Sequence, residues 1–291
     1  MNIDFIYQKH IDLVFHILAH IKVSNPSDLF SESYIKEMSA AIKDDEISFP
    51  LSAVDYYNQN FYRLGIINFL PFFSQNIEEL IQLLRNYNGF NENDKELFIY
   101  SFVDLLIKHS TKYFEFWDKQ FDKEKSSRLL IEKTLRDKIN SYSFIFDYYK
   151  KSAKAWLSFS ITKNGRGIGE ISDSFSAAVP YPFVYDDNLY NTFFTLLHEY
   201  THQFTDTILN ADINMEDGSH NLSENIVILT DYYLIKNICK TDVTPYLFWL
   251  APKGEETYIN EDLFLEIFKV PEHIQQRIDK LVKQLLNSRA L

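Results

Sequence analysis

Cysteine is almost absent from this 291-residue chain: Cys239 stands alone, which excludes an intrachain disulfide and every paired-cysteine metal or redox motif. The seven glycines form no phosphate-cradling loop, and neither a GxSxG elbow nor a reactive-cysteine signature occurs. No apolar run reaches the ~18 residues that a membrane span requires. The opening stretch MNIDFIYQKHIDLVFHILAHIKV lacks a cationic n-region and a small-residue cleavage site, so it does not read as a signal peptide. A cytoplasmic protein with no membrane partner is the expectation.

Positive charge is also scarce. The chain sets 29 Lys and Arg against 41 Asp and Glu, for a formal net charge of −12. Nucleic acid and anionic membranes both need a basic face, so neither is an expected partner. The scarcity is local: the 69 residues between Arg166 and Lys236 contain no Lys or Arg but eleven acids, among them Glu170, Glu199, Asp206, Glu224 and Asp231. Elsewhere 30 acids meet 29 cations, so nearly all of the net charge lies in this segment. Burial alone would deplete both signs. Loss of cations only produces a negative potential suited to a divalent metal or a cationic substrate group.

Apolar material is plentiful: 46% of residues are hydrophobic, with 25 Phe and 19 Tyr, enough for a sizeable core. Up to about residue 150 apolar positions recur at helical spacing, as in Ile77, Leu80, Ile81, Leu83 and Leu84, or Leu129, Leu130, Ile131 and Leu135. Breaks are predicted at Asn25-Pro26, Phe49-Pro50, Pro71 and Asn88-Gly89. From about 155 the texture becomes alternating: Leu157, Phe159 and Ile161 interleave with Ser158, Ser160 and Thr162, and the run 163–171 follows, which predicts a hairpin. Gly165, Gly167 and Gly169 would permit a close backbone approach, although a hairpin turn is the simpler account. After Pro180 and Pro182, helices are predicted at about 187–209 and 222–238, then a helical tail. The expected fold is mainly α (α+β). It has a helical N-terminal region, 1–150, and a region 151–291 with a small antiparallel sheet and two site helices, whether or not the two pack as one unit.

The second of these regions carries HEYTH, residues 198–202, within TFFTLLHEYTHQFTD. Four residues is one helical turn, so His198 and His202 can aim ring nitrogens at a single point, with Glu199 beside them. The HExxH spacing suits zinc. It also arises by chance, so its surroundings matter. Phe193, Leu197, Thr201, Phe204 and Ile208 share one side of the wheel and form a stripe for burial. His198, His202, Thr195 and Asp206 share the other, with Glu199 near its edge. His16 and His20 repeat the spacing without an intervening glutamate and read as helix-face residues.

A catalytic zinc needs a third protein ligand and an open position. A downstream histidine fails, because Thr205 and Ile208 occupy the relevant places. An aspartate ligand would be Asp231, but the glycines that usually flank one are missing. A glutamate on the next helix is favoured: Glu224, 22 residues after His202. Its competing reading is a capping box, Asn221-Leu222-Ser223-Glu224, in which the glutamate folds back on the cap.

HExxH followed by a glutamate on a later helix resembles the pattern of gluzincin-type zinc metallopeptidases. HEYTHQF with ENIVILTDYY is also similar to a poorly characterised family of predicted bacterial peptidases with a helical N-terminal half; the match covers about residues 195–235. The resemblance implies a zincin-like catalytic region acting on a peptide or protein substrate. His198, His202 and Glu224 would be the zinc ligands, with water in the fourth position, and Glu199 the general base on that water. Ile228 stands where such families often place an acid one turn after the ligand glutamate; Asp231, two turns on, is the acid on that face. Asp231 or Asp206 would hold a ligand imidazole from behind. His220, with Tyr232 and Tyr233 nearby, is a candidate to stabilise an oxyanion. The acidic surroundings suit a free amino terminus or basic side chain, with Glu170 among the residues that would meet it. Two other readings remain open: a non-catalytic binding or structural protein on such a scaffold, and a metallohydrolase of non-peptide amides or esters. The oligomeric state is not legible.

Overall fold

The computed structural model describes residues 3–21, 36, 38, 40, 47–148, 152–161, 165–171, 174–182, 189–209, 219–251 and 260–288. The chain does not open with a helix: Ile3–Ile6 form strand β1. Four residues are too few to show a period, and their hydrogen-bond partners lie about 150 residues downstream. Helix α1, Lys9–Leu18, follows and is buried along nearly its whole length. Helices α2 (Leu51–Gln59), α3 (Ile77–Asn86), α4 (Tyr100–Lys123), α5 (Lys125–Ser141) and α6 (Ser143–Tyr148) complete the N-terminal part, with short helical turns across 61–73 and 92–99. The predicted breaks fit where they are described: Pro50 precedes α2, Pro71 lies in a short turn, and Asn88-Gly89 follow α3. Asn25-Pro26 lies outside the described residues.

Local chemistry explains these helices. In α3 the Asn76 side chain caps the first turn by accepting from the Glu79 N–H, and Ile77, Leu80 and Leu84 form the buried stripe. In α5 the buried residues are Ile131, Leu135 and Ile139, while Leu129 and Leu130 are exposed, so only part of that apolar cluster reaches the core.

Strands β2 (Ser152–Ser158), β3 (Arg166–Ile171) and β4 (Ser174–Pro180) join β1 in one sheet of order β1-β2-β4-β3. The pairings β1–β2 and β2–β4 are parallel, and only β3–β4 is antiparallel. Two expectations are thereby corrected: the sheet is mixed rather than antiparallel, and the hairpin does not join the runs on either side of 163–166. Strand β4 inserts between β2 and β3, and the tight antiparallel pair is β3–β4, separated by two residues. The alternating run met only the end of β2, at Leu157 and Ser158, and register follows from which faces are buried. Trp156, Leu157 and Ser158 are buried in succession, which marks β2 as covered on both faces rather than half-solvated. Ala153, Ala155, Ala177 and Ala178 keep the sheet thin enough for helices to lie close.

The N-terminal helices pack directly on this sheet. Asp12 of α1 is buried and accepts from Trp117 Nε1 of α4 at 2.7 Å, from the Ser158 hydroxyl at the end of β2, and from the Phe159 N–H at 3.3 Å. Burial pushes its carboxyl up to about 6, against the pull of those donors.

On the sheet lies α7, Leu189–Leu209, which also packs on α8, Ser219–Ile238. Thr192 Oγ1 donates to Pro180 O at 2.7 Å where β4 ends, and Tyr200 donates to Phe146 O at 2.7 Å while meeting the Phe175 ring edge-on. The stripe Phe193, Leu197, Thr201, Phe204 and Ile208 is buried as the wheel predicts. So are Phe194, Thr195, Leu196 and Tyr200, because α7 is wrapped by sheet and helices on more than one side. Helices α9 (Val243–Leu250), α10 (Glu261–Ile267) and α11 (Glu272–Ser288) close the structure. The described chain is mainly α with a small mixed sheet, and no helix among the described residues is long and apolar enough to cross a membrane.

Candidate metal centre

HEYTH sits in the middle of α7, where one turn sets the His198 and His202 rings 4.9 Å apart and perpendicular. Helix α8 brings the carboxylate. It begins at Ser219, so Asn221 lies inside the helix and is not its cap; the capping-box reading of Glu224 fails for that reason. Glu224 instead turns to the histidines, with Oε2 3.1 Å from His198 Nε2 and Oε1 3.6 Å from His202 Nε2. The three residues offer ligand atoms all within 4.8 Å of one another, the one such group among the described residues.

The donor set fits a zinc-sized cation. Ligands at ~2.0–2.1 Å in a tetrahedron stand ~3.3 Å apart, and the 3.1 and 3.6 Å separations bracket that value. Two imidazoles and one carboxylate are the borderline nitrogen and oxygen donors that zinc prefers. Exposure is graded, from 12% at His198 through 23% at His202 to 33% at Glu224, so the cluster opens on the Glu224 side.

Behind the cluster, Asp231 is fully buried on α8. Its Oδ1 accepts from Thr201 Oγ1 at 2.6 Å, and its Oδ2 faces His198 Nδ1 at 3.6 Å. Neither of these last two atoms has a hydrogen-bond partner among the described residues, so each is the polar complement on offer to the other. A carboxylate at Nδ1 favours the tautomer that leaves Nε2 free to ligate. Burial disfavours the His198 cation, yet Asp231 and Glu224 outweigh it and carry the imidazole up to about 10. A metal entering here therefore displaces a proton. Burial also pushes the Asp231 and Glu199 carboxyls up, with His198 opposing in both.

Glu199 points to the sheet edge, where it accepts from the backbone N–H of Gly167 in β3 and feels the Arg166 guanidinium. Burial lowers Arg166, and Glu199 opposes that shift. Sequence reasoning placed Thr201 only in the buried stripe and missed Trp249 of α9, whose ring lies 5.8 Å from that of His198. Trp249 is steered by donating to Asn191 Oδ1 at 2.9 Å. Tyr232 donates to Glu261 at 2.7 Å and receives Lys236, so its hydroxyl is committed on the side of α10. Tyr233 packs edge-on against Tyr232. The side chains of His220, Asp206 and Glu170 lie outside the described residues.

Compared with known proteins, the chain matches no family model, no curated protein and no solved structure.

Proposed function

We propose that the protein is a zinc-dependent peptide-bond hydrolase with a zincin-like catalytic region, in which α7 and α8 are the two active-site helices. One observation carries the reading: His198, His202 and Glu224 converge from two helices while Asp231 backs His198 and Glu199 stands beside the cluster. His198, His202 and Glu224 would hold the metal. When bound, zinc supplies Lewis acidity toward the scissile carbonyl and makes water a better nucleophile at neutral pH.

The remaining work falls to the chain. His198 turns Nδ1 to the Asp231 carboxylate, 3.6 Å away, and Nε2 to the cluster, an orientation that the buried carboxylate favours. Glu199 takes the proton from the attacking water and delivers it to the departing amine. Its carboxyl, raised by burial, holds a proton more readily than an exposed glutamate and can give it up again, as a shuttle must. Asp231, fully buried behind the cluster, is shielded from bulk water.

The test is Glu199→Gln in the zinc-loaded protein, assayed against a peptide library. The substitution keeps the shape but removes the base, so turnover falls by about 100-fold or more with zinc content unchanged. Turnover equal to the parent's, or no hydrolysis by the parent of any peptide, contradicts the reading.

A further inference from the structure

Strand β3 crosses α7 where Thr195 and Glu199, one helical turn apart, face the sheet edge. At the crossing the strand carries Gly167, and Gly165 immediately precedes the strand. A Cβ built on Gly167 would stand 2.5 Å from Glu199 Oε2, and its three nearest atoms all belong to Glu199. A Cβ on Gly165 would stand 2.8 Å from Glu199 Oε1, 2.7 Å from Thr195 Cγ2 and 2.9 Å from Ala178 O. Both carboxylate oxygens thus occupy space that side chains at the start of the strand and just before it would claim. Neither glycine lies in the left-handed backbone region, so room rather than conformational freedom explains them. The Gly167 N–H also donates to the carboxylate.

Between the two glycines, Arg166 secures the strand. Its Nη1 donates to Gly165 O at 2.9 Å, and its Nε and Nη2 reach Asn68 Oδ1 at 3.4 and 3.3 Å. Asn68 is buried among the N-terminal helical turns and donates to Gly65 O at 3.1 Å. The N-terminal part of the chain is in this way tied to the strand that touches Glu199.

We propose that Gly165 and Gly167 are positioning residues for the base. The strand is a backbone seat that sets the direction of the Glu199 carboxylate, and Arg166 with Asn68 holds that seat in place. The inference rests on the reading of Glu199 as the base. The seat acts on the far end of one flexible side chain, so it controls the rate of the proton transfers and leaves metal capture to α7 and α8.

Gly167→Ala is the informative variant, because the added methyl displaces only the Glu199 side chain and leaves the fold intact. A misplacement on the scale of an ångström costs about 100-fold in turnover. The expected result is a fall of that order in kcat, with KM, zinc affinity and melting temperature close to the parent's. A kcat equal to the parent's overturns the proposal, as does loss of zinc along with activity, which would place the effect at the metal. The second arm needs no turnover: the Gly167 amide, followed by NMR in the full-length protein, loses exchange protection in Glu199→Ala if the carboxylate is its acceptor. An unchanged Gly167 amide overturns the seat. A parent that hydrolyses nothing but shows the amide change would refute the function of Glu199 while leaving its placement standing.

Discussion

Two pairs of histidines four residues apart have nearly the same shape in this protein, one at the end of α1 and one inside α7. The rings of His16, in the last turn of α1, and His20, in the turn just beyond it, are 4.7 Å apart at 74°, and those of His198 and His202 on α7 are 4.9 Å apart at 90°. Helical spacing fixes that geometry on α7, and the αR backbone of Ala19 carries the same four-residue offset just past the end of α1. The neighbours differ. His16 is buried against the Tyr113 ring with neither ring nitrogen hydrogen-bonded among the described residues, and burial drives its imidazole well below the ordinary histidine value. His20 spends Nδ1 on the His16 carbonyl at 2.8 Å. His198 meets Asp231 on one side and Glu224 on the other and is raised to about 10. Spacing alone makes a pair of rings; carboxylates from a second helix make a place for a cation.

The comparison breaks if the His16–His20 pair binds zinc as the α7 pair does. Structural zinc sites supply ~10–16 kcal/mol, so removing one of three ligands costs on the order of 10³-fold in affinity. Calorimetry on His198→Ala should show that loss, and His16→Ala should leave one zinc per chain at the parent's affinity. Asp231→Asn sharpens the point. It keeps the ligands but removes the carboxylate behind Nδ1, and it should weaken zinc by about 10–100-fold in the same titration.

The smallest effect belongs to α1. The folded-state value of His16 is lowered, so below its ordinary 6.5 the unfolded chain takes up a proton that the folded chain does not, and stability falls with pH. His16→Leu removes both that penalty and an unsatisfied polar group. It should gain about 1 kcal/mol at pH 7 and lose less melting temperature than the parent between pH 7 and 5. A parent-like slope would contradict the account of His16.

How much of this was legible follows from which contacts are local. The α7 helix, its buried stripe and the common face of His198 and His202 depend on a 3.6-residue period and were readable. Glu224 was readable as a choice between ligand and cap, and the start of α8 at Ser219 decides against the cap. The pairing of β1 with β2 and the insertion of β4 were not, because alternation specifies a strand and not its neighbour. Gly165 and Gly167 looked like turn residues; that they lie against Glu199 depends on a crossing between strand and helix that no local pattern encodes. The Asp231 role was legible only as one acid among two, since a seven-residue spacing from Glu224 shows a shared face but not what it meets.

The central claim is a meeting of three side chains at one cation, and X-ray absorption on the zinc-loaded protein reads it directly. Two imidazole nitrogens and a carboxylate oxygen at ~2.0–2.2 Å, with one imidazole lost in His198→Ala and the carboxylate lost in Glu224→Ala, is the predicted result. A shell containing no imidazole, or one unchanged by either substitution, would contradict it.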